Sequence, residues 1–137
     1  MPEQRYRVSE AASLLGVSDD TVRRWGASGR LELEGDVGAK TVSGAQLAAL
    51  AKELAESSPR ADLVDLPPAS ARNRMRGIVT KLTLDTVMAQ VDVQAGPFRI
   101  VSLVSREAVD ELGLEVGSVV VASVKATNVG IDGVHSV

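Results

Sequence analysis

The hydrophobic period of this chain changes partway along it. Up to about residue 57, alanine and leucine recur at helical spacing; beyond about residue 69, valine alternates with polar residues. A helix repeats every 3.6 residues and a strand every 2, so no one element type satisfies both patterns. The stretch between, Glu56 to Pro68, holds three prolines and two serines in thirteen residues, a composition suited to an extended connection. The expected organisation of the 137 residues is therefore a mainly helical unit over 1–57, a linker over 58–68 and a β-rich unit over 69–137.

In the first unit, Ser9 is positioned to cap a helix from Glu10 to about Leu15, with Ala11, Ala12, Leu14 and Leu15 as its apolar stripe. Gly16 stops it. Ser18 caps a second helix, whose first turn carries Asp19 and Asp20 at the positive end of the dipole. Val22 and Trp25 form its buried side, and Gly29 ends it. Leu31 and Leu33 alternate with Glu32 and Glu34 as a short strand, Gly35 to Gly38 turns, and Lys40 to Val42 returns. Ser43 then caps a third helix with Leu47, Leu50 and Leu54 on one face.

In the second unit, residues 72–82 read as a first strand. Val87, Ala89, Val91 and Val93 alternate with Met88, Gln90 and Asp92 as a second. Gly96-Pro97 turns into a third strand, Phe98 to Val104. Ser105 caps a short helix containing Ala108, Val109 and Leu112, which Gly113 stops, and the strand Ser118 to Ala126 follows. Asp132-Gly133 is a further hairpin signal. The expected fold class is α+β, with the second unit an OB-like small β-barrel carrying one helix between strands.

Composition narrows the chemistry. With no cysteine, disulfides, thiolate metal sites and cysteine nucleophiles are excluded. A single histidine, His135, leaves no intrachain His-cluster metal site and disfavours a Ser-His-Asp triad, so no enzyme is expected. Tyr6, Trp25 and Phe98 are too few for a single-strand stacking platform. The net charge of −3 divides as −1 over residues 1–60 and −2 over 61–137, so neither part is a polycation. The start Met-Pro-Glu-Gln-Arg lacks the apolar run of a signal peptide, and no stretch reaches the ~18 apolar residues of a membrane helix. The expectation is a cytoplasmic protein without membrane association.

The run from Tyr6 to Trp25, with Ala27-Ser28-Gly29-Arg30-Leu31 after it, resembles the winged helix-turn-helix of the MerR and excisionase superfamily over about residues 5–55. That resemblance implies a double-stranded DNA partner. The second helix would enter the major groove with Thr21, Arg23 and Arg24, while Arg5, Arg7 and Arg30 would add phosphate contacts. Trp25 is read as core. The wing departs from the pattern, carrying Glu32, Glu34 and Asp36 against Lys40 alone.

Ser70-Ala71-Arg72-Asn73-Arg74-Met75-Arg76-Gly77, Arg99 to Ser105, Ala108 to Leu114 and Val124-Lys125-Ala126-Thr127-Asn128-Val129 together resemble the Mop domain, the molybdate-binding form of the TOBE domain. The resemblance implies oxyanion sites between subunits. Ser70, Ala71 (through its N–H) and Arg72 would come from one chain, and Ser102, Ser105 and Lys125 from its neighbour. The residue types suit such a ligand: a tetrahedral dianion only accepts hydrogen bonds, so its site needs hydroxyls, N–H groups and cations. The helix that Ser105 begins would add N–H groups and a dipole. Ser102 and Ser105 fall on opposite faces of a regular strand, so the reading assumes a bend at the helix start.

The two resemblances imply a molybdate- or tungstate-responsive transcriptional regulator, acting as a dimer or a trimer of dimers. The alternative is a molybdate storage or buffer protein in which the first unit has no regulatory DNA role.

Overall fold

In a computed structural model, the chain forms two compact units, Met1–Asp65 and Leu66–Val137. The structure describes residues 4–57 and 69–134, so the expected linker over 58–68 lies outside the described residues, as does His135.

The first unit runs β1 (Arg5–Arg7), α1 (Val8–Leu15), α2 (Asp19–Ser28), β2 (Thr41–Ser43) and α3 (Gly44–Glu56). Ser18 caps α2, its Oγ accepting from the Thr21 N–H at 3.1 Å, and Ser43 caps α3 by accepting from Gln46 N–H at 3.2 Å. Gly29 closes α2 at φ +84°, a conformation that costs glycine little.

Two expectations are corrected here. Ser9 is not a cap: α1 starts at Val8 with Arg7 in the cap position, and the Glu10 carboxylate accepts from the Arg7 N–H at 3.2 Å. The cause is β1, which pairs antiparallel with β2 (Arg5↔Ser43, Arg7↔Thr41) and delivers the chain to the helix two residues earlier. The expected wing hairpin also fails to form. Residues 31–34 contribute only the single bridge Glu34↔Thr41. Leu31 is drawn instead into a core with Ala11, Ala12, Val22, Val42, Leu47 and Leu50, against which Trp25, Leu33 and Leu54 pack half-buried.

The second unit runs β3 (Asn73–Leu84), β4 (Met88–Ala95), β5 (Phe98–Ser105), α4 (Arg106–Leu112), β6 (Val119–Val124) and a 3-10 turn (Ala126–Asn128). The sheet is antiparallel, in the order β5-β4-β3-β6. The long strand β3 is its spine. Residues 73–78 pair with β6 on one edge and residues 78–84 pair with β4 on the other, with a bulge between Val79 and Lys81. Gly77 is required at this junction, since a Cβ there would stand 2.6 Å from the Gln94 carbonyl oxygen. Asp85 shapes the β3–β4 turn, Oδ1 accepting from the N–H groups of Val87 and Met88 at 2.8 and 2.7 Å.

Inward-facing Val79, Ala89, Val91 and Val93 pack with Val109 of α4 into a second core, edged by Leu82, Ile100, Val104, Leu114 and Val120. The sheet is an OB-like half-barrel rather than the closed barrel expected, because among the described residues no pairing joins β5 to β6. Strand β6 ends at Val124, two residues short of expectation, because Lys125 starts the 3-10 turn. The Asp132-Gly133 signal produces no hairpin within residues 131–134.

Candidate functional site

Ser70, Ala71 and Arg72 lead directly into β3, and Lys125 directly leaves β6. The register Asn73↔Val124 sets these two chain ends side by side, and Asn73 Nδ2 fastens them by donating to the Val124 carbonyl at 3.2 Å. Ser70, Arg72 and Lys125 are exposed and Ala71 is half-buried. Among the described residues, neither Arg72 nor Lys125 takes part in an ion pair. Two cations on neighbouring strand ends repel each other unless an anion lies between them. This corner is therefore built to favour an acceptor-only ligand.

Ser102 and Ser105 lie on the opposite edge strand. Ser102 faces inward between Ile100 and Val104, paired with Val91, and is half-buried. Pairing of β5 with β4 stays regular through Met88↔Ser105, so the assumed bend is absent and Ser105 projects from the other face. The Ser105 Oγ accepts from the Ala108 N–H at 3.0 Å, which leaves its O–H free to donate. The expected anion-attracting helix start is corrected too. Helix α4 has seven residues, and two of its leading N–H groups are occupied, Ala108 by Ser105 and Arg106 by the Val87 carbonyl at 2.8 Å. Within one chain Lys125 thus accompanies Arg72, and both serines stand across the sheet from that corner.

The sequence did not single out Asn73 as the clasp of this corner, nor the ion pair on the outer face of the sheet. There Asp92 is buried and accepts from Arg99 at 2.6 and 2.9 Å and from Gln90 at 3.1 Å. Hydrogen bonds from Gln90 and Arg99 hold its carboxyl below the ordinary aspartate value. The N–H groups of Met88 and Val87 do the same for Asp85. An unpaired-looking Asp in an alternating strand gives no sign of this burial. The signal would have been an arginine on the adjacent strand.

In the first unit, α2 presents Thr21, Arg23 and Arg24 to solvent, with Thr21 and Arg24 in contact at 3.4 Å. Arg23 pairs with Asp20 at 3.2 Å, and Thr21 Oγ1 shares a hydrogen bond with the capping Ser18 hydroxyl at 2.9 Å. Arg30 is held within the unit. It pairs with Glu53 at 3.0 Å and lies over the Trp25 ring, 5.1 Å from its centroid. Arg5 binds both Thr41 and Glu34, and Arg7 pairs with Glu10. A cleft of about 590 Å³ beside α2 is lined by Arg7, Arg23 and Lys40 along with Asp19 and apolar residues including Val8 and Leu33. Lys40 was weighed in the sequence only as the wing's lone cation.

Among the described residues no group of three or more His, Asp or Glu is placed to hold a metal ion, and no helix is long and apolar enough to cross a membrane.

Residues 69–131 match the model of the TOBE domain. Two proteins of Clostridium pasteurianum are similar over 63 residues. Molybdenum-pterin-binding protein 2 is 41% identical and molybdenum-pterin-binding protein 1 is 38% identical, each match covering 45% of this chain and 93% of the relative. Among solved structures, a molybdate binding protein from Sporomusa ovata aligns with a TM-score of 0.48 and 28% identity, covering 49% of this chain and all of that one. Through its second unit, this chain belongs to the TOBE domain family.

Proposed function

We propose that the second unit binds molybdate or tungstate and that the first unit binds double-stranded DNA, making the chain an oxyanion-responsive transcriptional regulator. The observation that carries the oxyanion reading is the corner where Arg72 and Lys125 stand together without a carboxylate partner, beside Ser70 and the Ala71 backbone. The similarity to molybdenum-pterin-binding proteins supports molybdate as the ligand. Ser102 and Ser105 sit on the other edge strand, so in this reading they donate to an anion held by the corner of a second copy in a dimer or a trimer of dimers. The DNA reading rests on Arg23 and Arg24, which stand on the exposed face of a capped helix that follows a three-residue turn. Ligand then changes DNA affinity only as far as it binds the DNA-competent arrangement more tightly than the other.

A mobility-shift titration on the protein's own upstream region, with and without molybdate, tests the whole reading. A molybdate-dependent shift that Arg23→Ala combined with Arg24→Ala abolishes supports it. Molybdate binding without preference for any duplex at low salt transfers support to the second reading, a storage or buffer protein. That second reading has its own observation. Arg5, Arg7, Arg23 and Arg30 all engage acidic groups of their own unit, which lowers the positive field available to phosphates.

A further inference from the structure

The sheet of the second unit has two bare edges of unusual composition. Strand β5 reads Phe-Arg-Ile-Val-Ser-Leu-Val-Ser and β6 reads Val-Val-Val-Ala-Ser-Val, fourteen residues with Arg99 as their one charge. Soluble chains protect free edges with charge, proline, bulges or a covering element, because a long apolar edge recruits other strands. Here β5 pairs regularly along its inner side and carries no bulge there. Outward-facing Val101 and Leu103 are 46% and 70% exposed.

The same chain carries an unused strand. After the 3-10 turn, residues 129–134 (Val-Gly-Ile-Asp-Gly-Val) have an apolar residue at 129, 131 and 134. Ile131 is 90% exposed and Val134 is 97% exposed. Among the described residues, the backbone of 130–134 makes no hydrogen bond. A bare apolar edge and an unpaired apolar segment of comparable length occur together in a chain that does not join them.

We propose that residues 129–134 of one copy add as a strand to the bare edge of β5 in a second copy, reciprocally about a two-fold axis. Main-chain hydrogen bonds would satisfy the edge, and Val129 and Ile131 would cover Val101 and Leu103. The exchange completes the half-barrel from outside the chain. It also fixes the second copy next to Lys125, which immediately precedes the 3-10 turn. It stands independently of the oxyanion reading and is tested without molybdate.

The absence of cysteine makes the test clean. Leu103→Cys and Ile131→Cys are made in separate full-length chains, distinguished by mass label, mixed and mildly oxidised. The expected result is a mixed disulfide joining position 103 of one chain to position 131 of the other, formed faster than either homodimer. In parallel, sedimentation of the otherwise unaltered chain at micromolar concentration should show a dimer or larger species. A chain ending at Asn128, and Ile131→Asp, should shift it to monomer. A monomeric wild type, or 103–103 and 131–131 links alone, overturns the proposal. So does a folded Asn128-terminated chain that keeps the full oligomer. If the shortened chain fails to fold, the disulfide pattern decides.

Discussion

The two units of this chain solve the problem of small size in opposite ways. The first closes on itself. Its arginines meet its own carboxylates, and only Leu14 and Val37 of its large hydrophobics are exposed. The second leaves fourteen large hydrophobics exposed among its described residues, two bare edges, and two cations without acidic partners. A unit of this size has little interior to spend on specificity. The first is complete as a monomeric fold, whereas the second has the surface of a part, one that calls for further chains and an anion.

The sharpest way to break the comparison is in the cores. Leu50→Ala removes a 4% exposed side chain from the first core, and such truncations cost about 2–5 kcal/mol. Trp25 is the chain's one tryptophan and belongs to that core, so its fluorescence should report the loss. The strand signal in circular dichroism should persist. Loss of both together would show that the second unit depends on the first.

Gly77→Ala is the counterpart in the second unit. The new Cβ meets the Gln94 carbonyl oxygen and the Val93 side chain, each at 2.6 Å, and overpacking of this kind costs roughly 1–3 kcal/mol. Chemical denaturation should show a lowered midpoint for the sheet with the Trp25 transition unmoved. An unchanged sheet midpoint would mean the β3–β4 junction relaxes freely.

The capping serines sharpen the comparison further. Ser18→Ala and Ser105→Ala should each cost about 1 kcal/mol of unit stability. Only Ser105→Ala should also weaken molybdate binding, because its O–H is the donor left over after capping. Equal affinity in both variants would reduce Ser105 to a cap.

The smallest effect concerns acid. Asp92 and Asp85 titrate below their ordinary values in the folded chain. A carboxyl whose folded pKa is depressed stabilises fully above its unfolded value of about 3.9, and that contribution is lost as pH falls through the folded value. The sheet should therefore weaken below about pH 4, and Asp92→Asn should flatten that dependence while lowering stability at neutral pH. A variant with the wild-type acid profile would assign the loss to other groups.

What could be read from the sequence followed the range of the interactions. Caps at Ser18, Ser43 and Ser105 and the stops at Gly29 and Gly113 are local, and the alternation along β4 spans eight residues, so these were legible. Strands β1 and β2 have three residues each and pair across more than thirty positions, which leaves no periodicity to read. For the same reason Ser9 looked like a cap, since the competing strand was invisible. The closed barrel was expected because alternation specifies faces and not closure. At the candidate site, residue types and order were legible, but the company each residue keeps was not. Register, which no single strand encodes, is what puts Lys125 beside Arg72 and keeps Ser102 and Ser105 on opposite faces.

The central claim is that the unsatisfied corner of the second unit is an oxyanion site, and calorimetric titration of the full chain with molybdate tests it most directly. The account predicts saturable binding that sulfate competes for poorly. In Lys125→Ala, loss of a charge-assisted contact should cost about 1.5–3 kcal/mol, roughly tenfold or more in affinity. Wild-type affinity in Lys125→Ala, or no saturable binding by the wild-type chain, would contradict it.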